Sequence, residues 1–248
     1  DDKPNGIPVE ATVEDAVNSA NSAGTPATHL VVGLAPDGGL LAPTARLDIK
    51  RALELGIGIA ITDHNEIRGA VEIDGYRDIF SIPGIEMTSR EGTHVLIYFY
   101  QIDALEKFYR DHVIPYMGND IMSSTALEME EIIQRARKFK TVIIFPHPFC
   151  GVYTGIQNSY FPQDRLEHIF SKVDGVEVIN SENMNKSNLR SALLGFNLGK
   201  GITGGSDGHR SGHGLDVELL LEGVDELRQL EDGHVPDGVE QLIEIWVV

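Results

Sequence analysis

The chain of 248 residues is long enough for one large α/β domain or two small ones, and 42% hydrophobic with 23% charged residues is an ordinary globular mix. A formal net charge of −18 works against long-range steering to duplex nucleic acid or an anionic membrane, so neither is expected as a partner. The single cysteine, Cys150, excludes an internal disulfide framework and a cysteine-based zinc site, and it fits a reducing compartment, with the cytoplasm as the expected location.

Residues 1–26 are rich in Pro, Asn, Ser and Ala and read as an extension, with one short helix at Val13–Ser19; residues 27–248 read as one barrel-like domain with its tail. Thr28–Gly33 is a short apolar strand. Pro43–Leu55 is an amphipathic helix that stops at Gly56. Ile57–Thr62 is a near-continuous apolar run, the pattern of a strand buried on both faces. Ile79–Met87 and His94–Tyr100 are strands around a Ser89–Gly92 turn, and helices follow over Asp103–Tyr116 and Thr125–Lys138.

Val142–Phe145 is again a buried strand, and it runs into Pro146-His147-Pro148. Residues 150–162 form a long loop. A helix over Gln163–Lys172 leads to the strand Gly175–Ile179. Lys186–Leu198 is a helix ended by Gly199, and Gly201–Thr203 is a short strand before Gly204–His209. The tail holds a helix at Val224–Glu231 and a strand at Leu242–Val248. Repeated β–α units argue for a doubly wound sheet or an α/β barrel, and functional groups at the ends of many different strands favour the barrel.

Those groups are histidines and carboxylates. His29, His64, His94, His147 and His209 sit at or beside the ends of strand-like runs, with Asp37, Asp63, Glu86 and Asp207 at similar positions. Each has a plainer reading alone. Asp63 or Asn65 would serve as a helix N-cap, His94 as a core histidine, His147 as part of a rigid turn, and Gly204–His209 as a loop. A fold that gathers strand ends on one face would instead make them a multinuclear metal site, since imidazole suits Zn, Fe or Mn and carboxylates bridge hard cations.

In order and spacing, these blocks resemble the polymerase and histidinol phosphatase (PHP) family. The blocks are His29 with Pro36-Asp37-Gly38, Ile61-Thr62-Asp63-His64-Asn65, Gly84-Ile85-Glu86, the His94 strand, Pro146-His147-Pro148-Phe149, Gly175-Val176-Glu177-Val178-Ile179-Asn180, and Gly205-Ser206-Asp207-Gly208-His209. The resemblance covers about His29 to His209. It implies a distorted (β/α)7 TIM-like barrel with two or three divalent metal ions (Zn, Mn or Fe) in a cleft at the strand ends. The implied activity is hydrolysis of phosphate esters. By position, His29, Glu86 and Asp207 would bind one metal. Glu86 would bridge to a second held by His94 and His147, and Asp37, His64 and His209 would hold a third.

Asp63 is read as orienting a ligand histidine and, with Arg210, as contributing to catalysis. Arg210, His213 and Asn180 are candidate contacts to a small phosphorylated substrate, although a solvated loop explains the first two equally well. One position departs from the family. Its first motif is His-x-His, and here Val31 replaces the second histidine. Valine offers no donor, so the alternative reading is a degenerate module that binds metal or ligand with little turnover. A nuclease reading is set aside on the net charge and the lack of basic patches. Nothing in the sequence fixes an oligomeric state.

Overall fold

The computed structural model describes residues 31–34, 58–76, 79–150, 154–180, 183–205, 207 and 246–247. Strands β1 (Val31–Leu34) and β2 (Gly58–Ile61) pair in parallel, with Val31 opposite Gly58. The remaining strands form a six-stranded sheet in the order β3 (Gly84–Thr88), β4 (His94–Phe99), β5 (Thr141–Phe145), β6 (Gly175–Asn180), β7 (Gly201–Gly205) and β8 (Trp246–Val247). Parallel bridges Ile59–Ser81 and His64–Glu86 run the line of β2 alongside β3.

The sheet is mixed and open. β3–β4 and β4–β5 are antiparallel, whereas β5 through β8 are parallel. The turn at residues 89–93, with Gly92 at φ 82°, is too short for a crossover, so β4 must return alongside β3. The α/β class therefore holds. The closed (β/α)7 ring is not shown by the described strands, because an antiparallel run interrupts the β–α repeat.

Five α-helices are described: α1 (Arg68–Asp74), α2 (Ile102–Phe108), α3 (Met129–Ala136), α4 (Gln163–Phe170) and α5 (Asn185–Leu198). The single helix expected over Asp103–Tyr116 breaks up. After α2 the chain widens into a π-helical turn, Tyr109–Val113, and then tightens into a 3-10 turn, Ile114–Tyr116. Pro115 is the physical reason: it has no N–H to donate, and its ring crowds the preceding turn. The helix expected from Thr125 starts at Met129 instead. Glu128 and Glu131 form a capping box there, while the Thr125 hydroxyl donates to Thr88 O. α5 ends where expected, with Gly199 left-handed at φ 58°.

β2, β3, β4 and β6 are buried along their whole length. Alternation nonetheless sorts their side chains. Ile85 and Met87 of β3, and Val95, Ile97 and Phe99 of β4, join one core with Leu105, Phe108, Ile132 and Phe145. Leu96 and Tyr98 face the other way, with Ala60 and Ile144. Glu86 and His94 are in phase with this second set. Because β3 pairs Glu86 with Leu96 and Thr88 with His94, Glu86 and His94 are diagonal neighbours on one face. Among the described residues, no helix is long and apolar enough to cross a membrane.

α1 packs tightly on the end of β2. A Cβ at Gly69 would lie 2.6 Å from both Asp63 Oδ2 and Ile61 Cγ2. Gly69→Ala should therefore destabilise the protein by about 1–3 kcal/mol, although alanine is the better helix former. Urea denaturation reads this directly, and a stabilised variant would mean that α1 does not sit this close.

Candidate metal centre

β2 delivers its functional group through the segment after it. Asp63 O accepts from Glu86 N (3.2 Å) and Asn65 N donates to Glu86 O (2.7 Å), so His64 is held directly beside β3. Asn65 then turns the chain at φ 48°. Its amide donates to Ile121 O (2.8 Å) and Ser123 O (3.1 Å), and its Oδ1 accepts from Thr88 N (3.0 Å). Asn65 is thus a staple between loops. The N-cap position of α1 is Ile67, so neither Asp63 nor Asn65 caps it.

Three imidazoles converge on the Glu86 carboxylate. Oε2 lies 3.3 Å from His64 Nε2, and Oε1 lies 3.0 Å from His94 Nδ1 and 3.5 Å from His147 Nε2. The rings pack edge to face, with centroids 4.8 Å apart for His64–His94 and 5.3 Å for His94–His147. All four residues are buried. His64, Glu86 and His94 can each offer a ligand atom within 4.8 Å of the other two. A second acidic group, Glu91, Glu128 and Glu130, differs in kind: it is half-buried, and Arg90 and Arg165 pair with its carboxylates.

His147 follows β5 directly and sits at φ 29°. Its loop is braced by Gly155, where a Cβ would fall 2.6 Å from His147 O. Its N–H donates to Glu177 Oε2 at 2.8 Å. The Asn180 amide donates to that same oxygen (2.9 Å) and to Asp207 Oδ2 (3.1 Å). Asn65, His147 and Asp207 are the non-glycine residues with positive φ among those described. Such strain persists where surrounding contacts impose it, and here every instance lies at this site.

The charges are interdependent. Burial opposes ionisation of Glu86, but the His94 and His64 imidazoles, with the polar contacts of His147 and His94, hold its carboxyl well below the usual range. Burial likewise opposes a charge on His147. Contact with Glu86 and the fields of Asp207, Glu86 and Glu177 outweigh it and push His147 up to about 10. Burial pushes Glu177 up to about 7, with His147 opposing. For His94 burial wins, and the ring is shifted towards neutrality.

The donor set fits a divalent transition metal. Burying this much carboxylate requires a positive charge nearby, and a proton on His147 meets that need only in part. His147 Nδ1 is buried without a hydrogen bond of its own, as an imidazole nitrogen available to a cation would be.

The structure thus brings Glu86, His94 and His147 together and adds His64, which the resemblance grouped with Asp37 and His209. Asp207 joins through Asn180. Asp63 Oδ2 lies close to Gly69 of α1. His29, Asp37, His209, Arg210 and His213 lie outside the described residues, as do residues 1–26. Sequence reasoning missed Glu177 as a site residue. Its signal was the same as that of Glu86, a carboxylate inside an apolar strand.

A family model described as "Domain of unknown function (DUF1611_N) Rossmann-like domain" matches residues 1–72, under a third of the chain. No curated protein matches the sequence. Solved structures do. A protein from Bifidobacterium adolescentis assigned as a metal-dependent phosphoesterase is 16% identical, covering 80% of this chain and 96% of that one, with a TM-score of 0.51. An amidohydrolase from Chromobacterium violaceum is 15% identical over 74% and 88%, with a TM-score of 0.54. The lesion-specific endonuclease EndoQ from Pyrococcus furiosus is 18% identical over 71% and 48%, with a TM-score of 0.53. The resemblance read from the motifs is therefore borne out as a likeness of fold.

One expectation is corrected. Net charge predicts no duplex nucleic acid as a partner, yet the same fold is found in the Pyrococcus furiosus protein, a lesion-specific endonuclease, so net charge does not exclude a nucleic-acid partner for this fold. The physical reason is that net charge describes the whole surface, whereas binding depends on the local field of a cleft, which metal ions can invert.

Proposed function

We propose that this chain is a metal-dependent hydrolase of phosphate esters, with a multinuclear centre built on Glu86. The carrying observation is the buried convergence of His64, His94 and His147 on that one carboxylate. Fold neighbours described as a metal-dependent phosphoesterase and an endonuclease support the reading. In it, Glu86, His64, His94, His147 and Asp207 hold divalent cations (Zn, Mn or Fe), with His29, Asp37 and His209 completing the set. Bound cations there would activate water and neutralise phosphoryl oxygens. Glu177 and Asn180 fix the His147 backbone and the Asp207 carboxylate. Arg210 and His213 are proposed to meet the substrate, a small phosphomonoester or short nucleotide. The strand-end clustering of these groups supports a barrel-like closure over residues 27–248.

Metal counting on the purified protein, followed by a panel of p-nitrophenyl phosphate, histidinol phosphate and short oligonucleotides with Mn, Fe and Zn, tests this. At least two transition metals per chain and turnover of one substrate are expected. Metal-free, inactive protein would refute it.

Val31 motivates a second reading, a degenerate module with little turnover. Val31 lies in β1 where the family places a second histidine, and valine supplies no ligand. Val31→His should raise metal affinity and activity by at least about 10–100-fold, the range seen when groups behind a ligand are altered. Titration with Mn and initial rates check it. Unchanged affinity and rate would favour the degenerate module.

A further inference from the structure

In this acidic chain the described arginines are neutralised almost throughout. Arg68, Arg90, Arg110, Arg135, Arg137 and Arg165 each pair with a carboxylate. Arg190 pairs with none among the described residues. Its guanidinium instead lies 4.1 Å above the ring of Phe149, two residues beyond His147. α5, which carries Arg190, contains no acidic residue, and Lys186 lies one turn earlier on the same face.

The helix is also tied to the site end of the sheet. Asn188 Oδ1 accepts from Asn180 N (3.2 Å), and Asn188 Nδ2 donates to Asn180 O (3.0 Å). Asn180 in turn bridges Glu177 and Asp207. Two residues of chain span at most about 7 Å, so Phe149 keeps Arg190 near the His147 loop.

We propose that Arg190, stacked on Phe149 and supported by Lys186, reads a second phosphate of the substrate, beyond the one that is hydrolysed. A guanidinium matches phosphate with paired donors, and stacking on an aromatic face orients its plane in advance. Because no described carboxylate pairs with Arg190, none of those groups competes with a phosphate for its guanidinium. The preferred substrate is then a nucleotide or strand with two phosphates rather than a simple monoester. This inference rests on the phosphoesterase reading above.

The test compares wild type with Arg190→Gln and Phe149→Leu on p-nitrophenyl phosphate, adenosine 3′,5′-bisphosphate and a 5′-phosphorylated dinucleotide. A charge-assisted contact to phosphate predicts that Arg190→Gln raises KM for the two-phosphate substrates about 10-fold or more. kcat on all three substrates, and KM for p-nitrophenyl phosphate, should stay within about 2-fold, because the contact lies away from the reacting group. Phe149→Leu should raise the same KM values about 2–5-fold, the scale of an exposed cation–π contact. An effect on the bisphosphate alone identifies a mononucleotide source, and one on the dinucleotide alone identifies a strand. Equal KM changes on all three substrates, or none, would overturn the proposal.

If wild type hydrolyses none of them, the phosphoesterase reading fails. Calorimetric titration with adenosine 3′,5′-bisphosphate then decides the contact by itself. Binding by wild type weakened about 10-fold in Arg190→Gln supports it, and equal or absent binding refutes it.

Discussion

Glu86→Gln should abolish metal binding at the proposed centre. The substitution keeps the shape of the side chain but removes the charge on which His64, His94 and His147 converge. A carboxamide is a poor ligand and cannot balance a divalent cation. Changes behind a ligand already cost about 10–100-fold in affinity or activity, so losing this carboxylate should cost at least about 100-fold in both. Elemental analysis and Mn-dependent rates check it, and full metal content in the variant would remove Glu86 from the ligand set. Acid should act in the same direction. Because the folded-state carboxyl of Glu86 is held low, its contribution to stability is present above the ordinary carboxylate range and fades as pH falls through the lowered value. Before that point, protons compete with metal for the imidazoles, first at His147, which is pushed up to about 10, so metal affinity should fall steadily as pH drops below that value.

Phe145→Ala should be the most destabilising single truncation near the site. Phe145 is fully buried at the end of β5, its ring 5.4 Å from that of Phe170 in α4, and it directly precedes Pro146-His147. Removing a buried ring leaves a cavity as well as losing its transfer free energy, about 3–5 kcal/mol together. Against a typical total of about 5–15 kcal/mol, that is a large fraction. Leu193→Ala, on the exposed face of α5, should stay within about 0.5 kcal/mol. Urea denaturation of both variants without metal gives the contrast. A loss below about 1 kcal/mol for Phe145→Ala would mean that β5 is not clamped between sheet and helices. A folded variant should also bind metal more weakly, because the His147 loop loses its anchor.

Much of this was legible in the chain itself. The apolar runs ending at Thr62, Met87 and Phe145 announced buried strands, and Gly199 announced the end of α5. Carboxylates and imidazoles at strand ends pointed to the cluster that forms around Glu86. These signals are local, carried by burial and by backbone preference over a few residues. Other features depended on contacts distant in sequence. A strand buried on both faces has no polar side to orient it, so only the β3–β4 register could put Glu86 and His94 on one face. Grouping His64 with Glu86 required β2 to lie beside β3. Likewise, whether the sheet is mixed or all-parallel depends on which edges meet after each loop. The stack of Arg190 on Phe149 joins residues 41 apart whose neighbours give no local sign of the contact. Short-range preference fixes elements and residue types, whereas strand pairing and helix docking decide which of them share a site.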